Sequence, residues 1–396
     1  MGRQKKPPLD ERKLQGMKYF KLLDDLLRGL RNAGTDRDRA GNRELFYDQY
    51  ATLLISFFFN PTIDSLRGLR EFTTLEKVQK RWGIKPTSLG SLSEAARVFD
   101  PALMESIIAE LAQRAGHQHA RRGTGGFPSA TEAQLAGLIA IDGSLLKALP
   151  KMTWALWQDE RHRAIKMHVA FSVFPNAPVN VSVTHGNGSE RDELRAFVKP
   201  GGFYVADRGY ANNAMFREFD EQGVRFLIRV QENTTYEVER ENPITNADKK
   251  AGVVRDVLVR RLGTEKHNPR LIKPLRIVQI QGDEPGHAWT LATNARELSG
   301  ELVAIAYRHR WQVELFFRWF KCILGCRRLI SESASGVTFQ IYAAIIASLI
   351  IGLWTGSKPT KRGFEMIRHY LNGWATWEEL NTFLEKQRNK SPPSKS

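Results

Sequence analysis

Apolar residues recur at three- and four-residue spacing through the first third of the chain, at Met17, Tyr19, Phe20, Leu22, Leu23, Leu26 and Leu27 and again across Ser93 to Leu111. That period predicts helices, and no alternating run competes with it before about residue 130. Asn60-Pro61-Thr62 predicts a turn, with a helix restarting over Ile63-Asp64-Ser65-Leu66. The glycines of His117 to Ser129, together with Arg121, Arg122 and Pro128, predict a linker and a first boundary.

From Leu135 the period changes to two. Gly137 to Ser144 is an apolar run ending on Asp142, and Ala164 to Val173 and Val179 to Thr184 both alternate. A short helix follows over Arg191 to Val198, then a strand over Gly202 to Asp207, a helix over Asn213 to Gln222 and a strand over Val224 to Val230. Three consecutive strands predict an antiparallel meander, and strands separated by helices predict parallel crossovers, so the sheet is expected to be mixed. Residues 231 to about 286 break the rhythm with polar strand-like pieces, Val253 to Arg261 and Leu275 to Gln281, and Trp289 to Asn294 is one more strand. Ser299 to Leu324 reads as one long helix, followed by a helical C-terminal region and a polar tail, Asn389 to Ser396, expected to be disordered.

Composition narrows the class. With 42% hydrophobic and 26% charged residues over 396 positions, the chain is globular and long enough for two or three domains. Two cysteines, Cys322 and Cys326, exclude a disulfide framework and match no common zinc spacing, so both are read as free thiols. Fifty-nine Lys and Arg against 43 acids give a net charge of +16, which makes a polyanion the default partner. The basic N-terminus has no apolar core of the secretory kind, and Val337 to Trp354 is read as a buried helix rather than a membrane span. The chain is therefore expected to act away from membranes, in the cytoplasm.

The candidate chemistry starts with Asp142 and Asp207, acids at predicted strand ends, where a sheet holds side chains firmly over a crevice. Either one alone is also ordinary turn chemistry. The late helix changes the balance. At about 100° per residue, Tyr307, Arg310, Glu314, Arg318 and Lys321 share roughly 80° of arc, opposite Val313, Phe316, Trp319 and Phe320. Between Tyr307 and Arg328 there are six Lys or Arg and the single acid Glu314, a strip that repels itself unless a phosphate backbone lies along it.

The pattern Tyr307-x2-Arg310-x3-Glu314-x6-Lys321 resembles, position for position, the signature of insertion-sequence transposases of the insertion-sequence-four family, within the Asp-Asp-Glu superfamily. The resemblance runs from about Leu135 to Leu329. Ile141-Asp142-Gly143-Ser144 resembles the first-Asp strand, Tyr204-Val-Ala-Asp207-Arg-Gly-Tyr210 the second, and Leu291-Ala-Thr-Asn294 the strand before the signature helix. It implies an α/β fold in which a ribonuclease-H-like mixed five-stranded sheet with flanking helices is interrupted by a β-rich insertion subdomain. The 106 residues between Asp207 and Glu314 leave room for that insertion. The implied organisation is a helical DNA-binding region over 1–130, a catalytic core over 131–230, the insertion over 231–296, the last core helix over 297–330 and a helical C-terminal region over 331–396.

The same resemblance makes Asp142, Asp207 and Glu314 a triad for two Mg²⁺ or Mn²⁺ ions. The physics concurs, since three carboxylates offer hard oxygen donors to such ions and two ions about 4 Å apart can serve both the attacking and leaving oxygens of a phosphodiester. Tyr307, Arg310, Arg318 and Lys321 are expected to meet DNA phosphates, and Trp311 and Trp289 to stack on a flipped base. The implied activity is cut-and-paste transposition of double-stranded DNA by a homodimer associated with a bacterial nucleoid. The alternatives are a structure-selective nuclease with the same core, or a DNA-binding regulator without chemistry. His168 is expected to pack, His162 to lie near phosphate, His117 and His119 to be solvated, and His185 to Gly188 to form a turn.

Overall fold

The computed structural model describes residues 21–33, 43–60, 62–122, 129–157, 159–264, 268, 270–271, 273–282, 284, 286–323 and 329–389. The expectations for the first twenty residues, for Arg327 and Arg328, and for the tail after residue 389 lie outside them.

Alternation over residues 138–185 produces the meander. β1 (Leu138–Lys147) pairs antiparallel with β3 (Asp159–Ser172), and β3 pairs antiparallel with β4 (Ala177–His185) and with the short β2 (Leu156–Trp157). β5 (Phe203–Ala206) then lies parallel to β1, and β6 (Arg225–Arg229) parallel to β5. The crossovers are the helices Glu190–Phe197 and Asn213–Glu221, whose first turns are satisfied by the side chains of Ser189 and Asn212. The sheet is therefore mixed, as the pattern predicts.

It does not stop at β6. β10 (Ala288–Thr293) pairs antiparallel with β6, and β9 (Leu275–Gln281), β8 (Val253–Leu262) and β7 (Tyr236–Glu241) follow, giving one ten-stranded sheet. The expected five-stranded sheet is corrected on this point. The outer edge of β6 would otherwise expose a row of unpaired backbone groups, and β10 covers it. Asn294 locks that junction: its side chain accepts from the Phe226 N–H at 2.9 Å and donates to the Val224 carbonyl at 2.9 Å.

Two cores form on the two faces of the sheet. On one, Ile141, Tyr204, Ala206 and Ile228 meet Leu194, Phe197, Met215, Phe216 and Phe219 of the crossover helices, with Phe216 stacked on Phe226 at 4.8 Å. On the other, Leu138, Ala140, Met167, Val169 and Phe171 meet the late helices and the N-terminal bundle. The centre of that bundle is Ala334–Thr355, which packs on Tyr47–Phe59, Leu89–Val98, Leu103–Arg122 and β4. This helix is long and apolar enough to cross a membrane, but 89% of its apolar window is buried inside the molecule. Each fully buried Ile or Leu there contributes about 1.5–3 kcal/mol of burial. Tyr342 fixes its rotation by donating to the Val181 carbonyl at 2.9 Å.

Two expectations shift. His117 and His119 are helical, within Leu103–Arg122, so the linker starts later than the glycine content suggests, and residues 123–128 are outside the described set. The long late helix is broken into Gly300–His309 and Trp311–Ile323.

A buried ion pair ties the added strands to the start of Gly300–His309. Arg276, 6% exposed, holds Asp256, 4% exposed, through two contacts of 2.9 and 2.5 Å, and also donates to the Leu298 carbonyl. Arg276→Met leaves Asp256 buried without its cation and should destabilise the chain by about 3–5 kcal/mol in urea denaturation. A loss under about 1 kcal/mol would show that water reaches the pair.

Candidate active site at the rim of the sheet

Strand alternation sets where the two aspartates point. Leu138 and Ala140 of β1 face the helical bundle, so Asp142, two residues on, faces the same way. Phe203 and Val205 of β5 face the bundle too, and Asp207 follows in extended conformation just past the strand. β1 itself continues to Lys147, but its parallel partner stops at Ala206, opposite Ile141. Asp142 is thus at the rim of the parallel pair although it is in the middle of its own strand. Glu314 comes from the helix Trp311–Ile323, which packs across β1 and β3, with Phe316 against Phe171 at 5.4 Å.

One guanidinium joins these groups. Arg310 Nη2 is 2.6 Å from Glu314 Oε1 and Nη1 is 3.8 Å from Asp142 Oδ2. The Arg310 guanidinium also lies 5.8 Å from the centre of the Tyr307 ring, and the Tyr307 hydroxyl donates to Asp207 Oδ1 at 3.3 Å. Burial works against the charge of Arg310, but Tyr307, Asp207, Glu314 and Asp142 outweigh it and hold its pKa above the ordinary guanidinium value. Burial, then Asp207, pushes Tyr307 up to about 12, so it remains a donor. Asp142 is pushed up to about 6, chiefly by burial and further by Glu314 and Glu190, against the Gly143 N–H and Arg310, which lower it. Burial decides the direction: the Gly143 N–H and Arg310 outweigh Glu314 and Glu190 but do not offset the loss of solvation.

The break between the two late helices serves this arrangement. The Arg310 N–H bonds the Tyr307 carbonyl at 3.0 Å and the Val313 N–H bonds the Arg310 carbonyl at 3.2 Å, both three residues apart. The local tightening turns Arg310 inward beside Tyr307 and Glu314. The stripe read from the sequence consequently divides. Tyr307 is 3% exposed and Arg310 is ion-paired, while Arg318 is exposed and Lys321 half-buried on the outer part. Arg318 lies 5.7 Å from the ring centre of Trp311, which is 45% exposed. Trp289 is half-buried behind the site, edge-on to Tyr307 at 5.5 Å and under the Arg229 guanidinium at 5.3 Å.

The donor set suits hard divalent ions: carboxylates from three elements, with Asp142 largely buried. Among the described residues, no three acidic, imidazole or thiol side chains are close enough to enclose an ion as they stand, and Arg310 contacts both Asp142 and Glu314. The residues fit such ions provided that Arg310 yields.

Sequence reasoning missed Glu190, Lys166 and Tyr210. Glu190 opens the helix Glu190–Phe197 beside Asp192 and Glu193, where acids are ordinary helix-start residues, so nothing marked it out. Tyr210 is 1% exposed, and Asp142, Glu190 and Asp207 all act on its hydroxyl. His168 packs as expected: it is fully buried, its Nε2 is 3.0 Å from the Thr184 hydroxyl, and burial followed by Lys166 brings it down to about 4. His162 is exposed, edge-on to Trp157 at 6.4 Å, and His185 to Gly188 form a turn closed by the Gly188 N–H on the His185 carbonyl at 2.9 Å.

A family profile described as a transposase DDE domain matches residues 134–350, more than half of the chain. A putative transposase, y4zB, of Sinorhizobium fredii is 30% identical over 192 residues, which is 48% of this chain and 53% of that protein. A probable transposase for insertion sequence element IS5377 of Geobacillus stearothermophilus is 29% identical over 201 residues, 51% of this chain and 52% of that one. The chain spans about half the length of these curated relatives. A solved synaptic complex of piggyBac transposase with hairpin DNA bears a loose likeness, with a TM-score of 0.43 and 12% identity over 99% of this chain and 86% of that one.

Arg310→Gln removes the cation between Asp142 and Glu314. In chelator at pH 8 this variant should be less stable by about 1–3 kcal/mol in urea denaturation, and millimolar Mn²⁺ should recover most of the loss. An equal loss with and without Mn²⁺ would mean that the carboxylates do not take the ion in place of the guanidinium.

Proposed function

The chain belongs to the transposase DDE domain family, and from that premise we propose that it is an insertion-sequence transposase of the insertion-sequence-four type, cutting element ends and joining the freed 3′ hydroxyls to target DNA. The observation that carries this reading is the meeting of β1, the end of β5 and the broken late helix around Arg310, with Asp142 and Glu314 on the guanidinium and Asp207 on Tyr307. The order of five strands supports a ribonuclease-H-like core: β4, β3, β1, β5, β6, antiparallel through β1 and parallel thereafter.

Asp142, Asp207 and Glu314 would hold two Mg²⁺ or Mn²⁺ ions. When bound, such ions stabilise the charge that develops on a phosphodiester under attack and lower the barrier to that attack. The chain's own residues supply the rest. Tyr307 keeps Asp207 oriented through its hydroxyl. Arg310 can exchange its carboxylates for a backbone phosphate, which its planar fork grips bidentately. Arg318 and Lys321 extend that cationic track along the outer helix, and Trp311 offers an exposed ring to an unpaired base. Water attacks at the element end and releases a 3′ hydroxyl, and that hydroxyl then displaces a 3′ oxygen in the target. The first step cleaves one phosphodiester and leaves a 5′ phosphate opposite the 3′ hydroxyl, the second breaks one phosphodiester for the one it makes, and no covalent bond to protein forms.

The N-terminal helices would bind element ends, and a pair of chains would hold the two ends together. Residues 131–230 and 297–330 would form the catalytic core, with 231–296 inserted between them and 331–396 completing the helical side. Double-stranded DNA is the substrate, in the bacterial cytoplasm at the nucleoid.

Glu314→Gln keeps the shape of the side chain and removes one hard donor. It should lower Mn²⁺-dependent nicking of an end-bearing duplex by at least about 10³-fold, while leaving duplex affinity within about threefold. Nicking that survives at wild-type rate would overturn the assignment.

A further inference from the structure

The two glycines that follow the rim aspartates share one neighbour. A Cβ on Gly209 would stand 2.7 Å from Glu190 Oε2, and one on Gly143 would stand 3.5 Å from Glu190 Oε1. The carboxylate of Glu190 therefore lies over the chain just beyond Asp142 and just beyond Asp207, touching the first position and, at the second, filling space that exists because Gly209 lacks a side chain. It reaches that place from the opposite face of the sheet to Glu314. Gly143 pairs with His168, and the face shared by Gly143, His168 and Lys166 is the one covered by Glu190–Phe197.

Two further observations mark this as a built electrostatic site. Glu190 is held by Lys166, Nζ to Oε1 at 2.7 Å, with 30% and 16% of the two side chains exposed. The Tyr210 hydroxyl, on a residue 1% exposed, has no hydrogen-bond partner among the described residues, and it lies in the field of Asp142, Glu190 and Asp207. A buried donor without an acceptor costs free energy, which a bound water or ligand at this point would relieve. The Nδ1 of fully buried His168, about a van der Waals contact from a Cβ at Gly143, also has no partner among the described residues.

We propose that Glu190 is a fourth carboxylate of the cation site, a positioning residue that draws divalent ions onto Asp142 and Asp207 from behind the sheet, with Lys166 as the counter-charge that limits its pull. This rests on the preceding assignment of Asp142, Asp207 and Glu314 as ion-binding groups. Glu190 acts through the field and through the two glycine positions it packs on, so it does not itself need to reach the reacting phosphate.

The role predicts effects of opposite sign from the two members of the ion pair. Calorimetric titration of the full chain with Mn²⁺ alone should show Glu190→Gln weakening binding roughly tenfold, the scale of one unit charge acting at a partly screened site. Lys166→Met should strengthen it several-fold, because the Glu190 charge is then unmasked, and Glu190→Asp should stay close to wild type. A thermal melt of each variant reports whether it is folded. Weaker binding in both Glu190→Gln and Lys166→Met, or no change in either while Asp142→Asn abolishes binding, would overturn the proposal and reduce the pair to a structural contact. If Asp142→Asn leaves Mn²⁺ binding intact, the triad assignment fails, and the role of Glu190 with it.

Discussion

Negative charge gathered at one rim of a sheet is the constraint on which the rest of this molecule depends. Asp142, Asp207, Glu314 and Glu190 come from four separate elements, and Glu314 and Glu190 both add to the negative field at Asp142. Arg310 and Lys166 supply the compensation in the absence of a ligand: one sits between carboxylates on the bundle face, the other holds Glu190 on the crossover face. Each of these bridges is only partly exposed, so it is stronger than a surface pair and still within reach of an incoming phosphate or ion. A site balanced in this way can exchange internal cations for external ones at modest cost.

The surroundings hold that balance in place. Ala334–Thr355 gives the bundle a rigid apolar centre, and the helix bearing Glu314 packs between it and the sheet. On the far side, four further strands continue the sheet from β6 and pin the start of Gly300–His309. Asp248 accepts the Glu301 N–H at 2.7 Å, and Arg276 reaches the Leu298 carbonyl. The added strands thus bear directly on the helix that carries Tyr307. Their role at the site is mechanical support, and the acids themselves all come from the other elements.

Much of this was legible in the residues. Alternation over 137–184 and the two crossovers gave the mixed sheet, and the spacing of Tyr307, Arg310 and Glu314 placed three interacting side chains on one helical face. What was not legible depends on tertiary pairing. Asp142 is at a rim because β5 is short, which no pattern within β1 can show. The ten-stranded extension follows from the need to cover the β6 edge, and polar strands such as Tyr236–Glu241 carry only a weak signal of their own. The break at Arg310 hides inside an otherwise regular helical pattern, and Glu190 looks like any helix-start acid until Gly143 and Gly209 are seen beneath it.

The central claim is that these carboxylates surrender Arg310 and take divalent ions when nucleic acid is at hand. Anomalous diffraction from crystals of the full chain with a short duplex and Mn²⁺ tests it most directly. The account requires manganese peaks about 2.1–2.3 Å from oxygens of Asp142, Asp207 and Glu314, with the Arg310 guanidinium turned onto a phosphate. Arg310 still bridging Asp142 and Glu314 in that complex, with manganese elsewhere or absent, would contradict it.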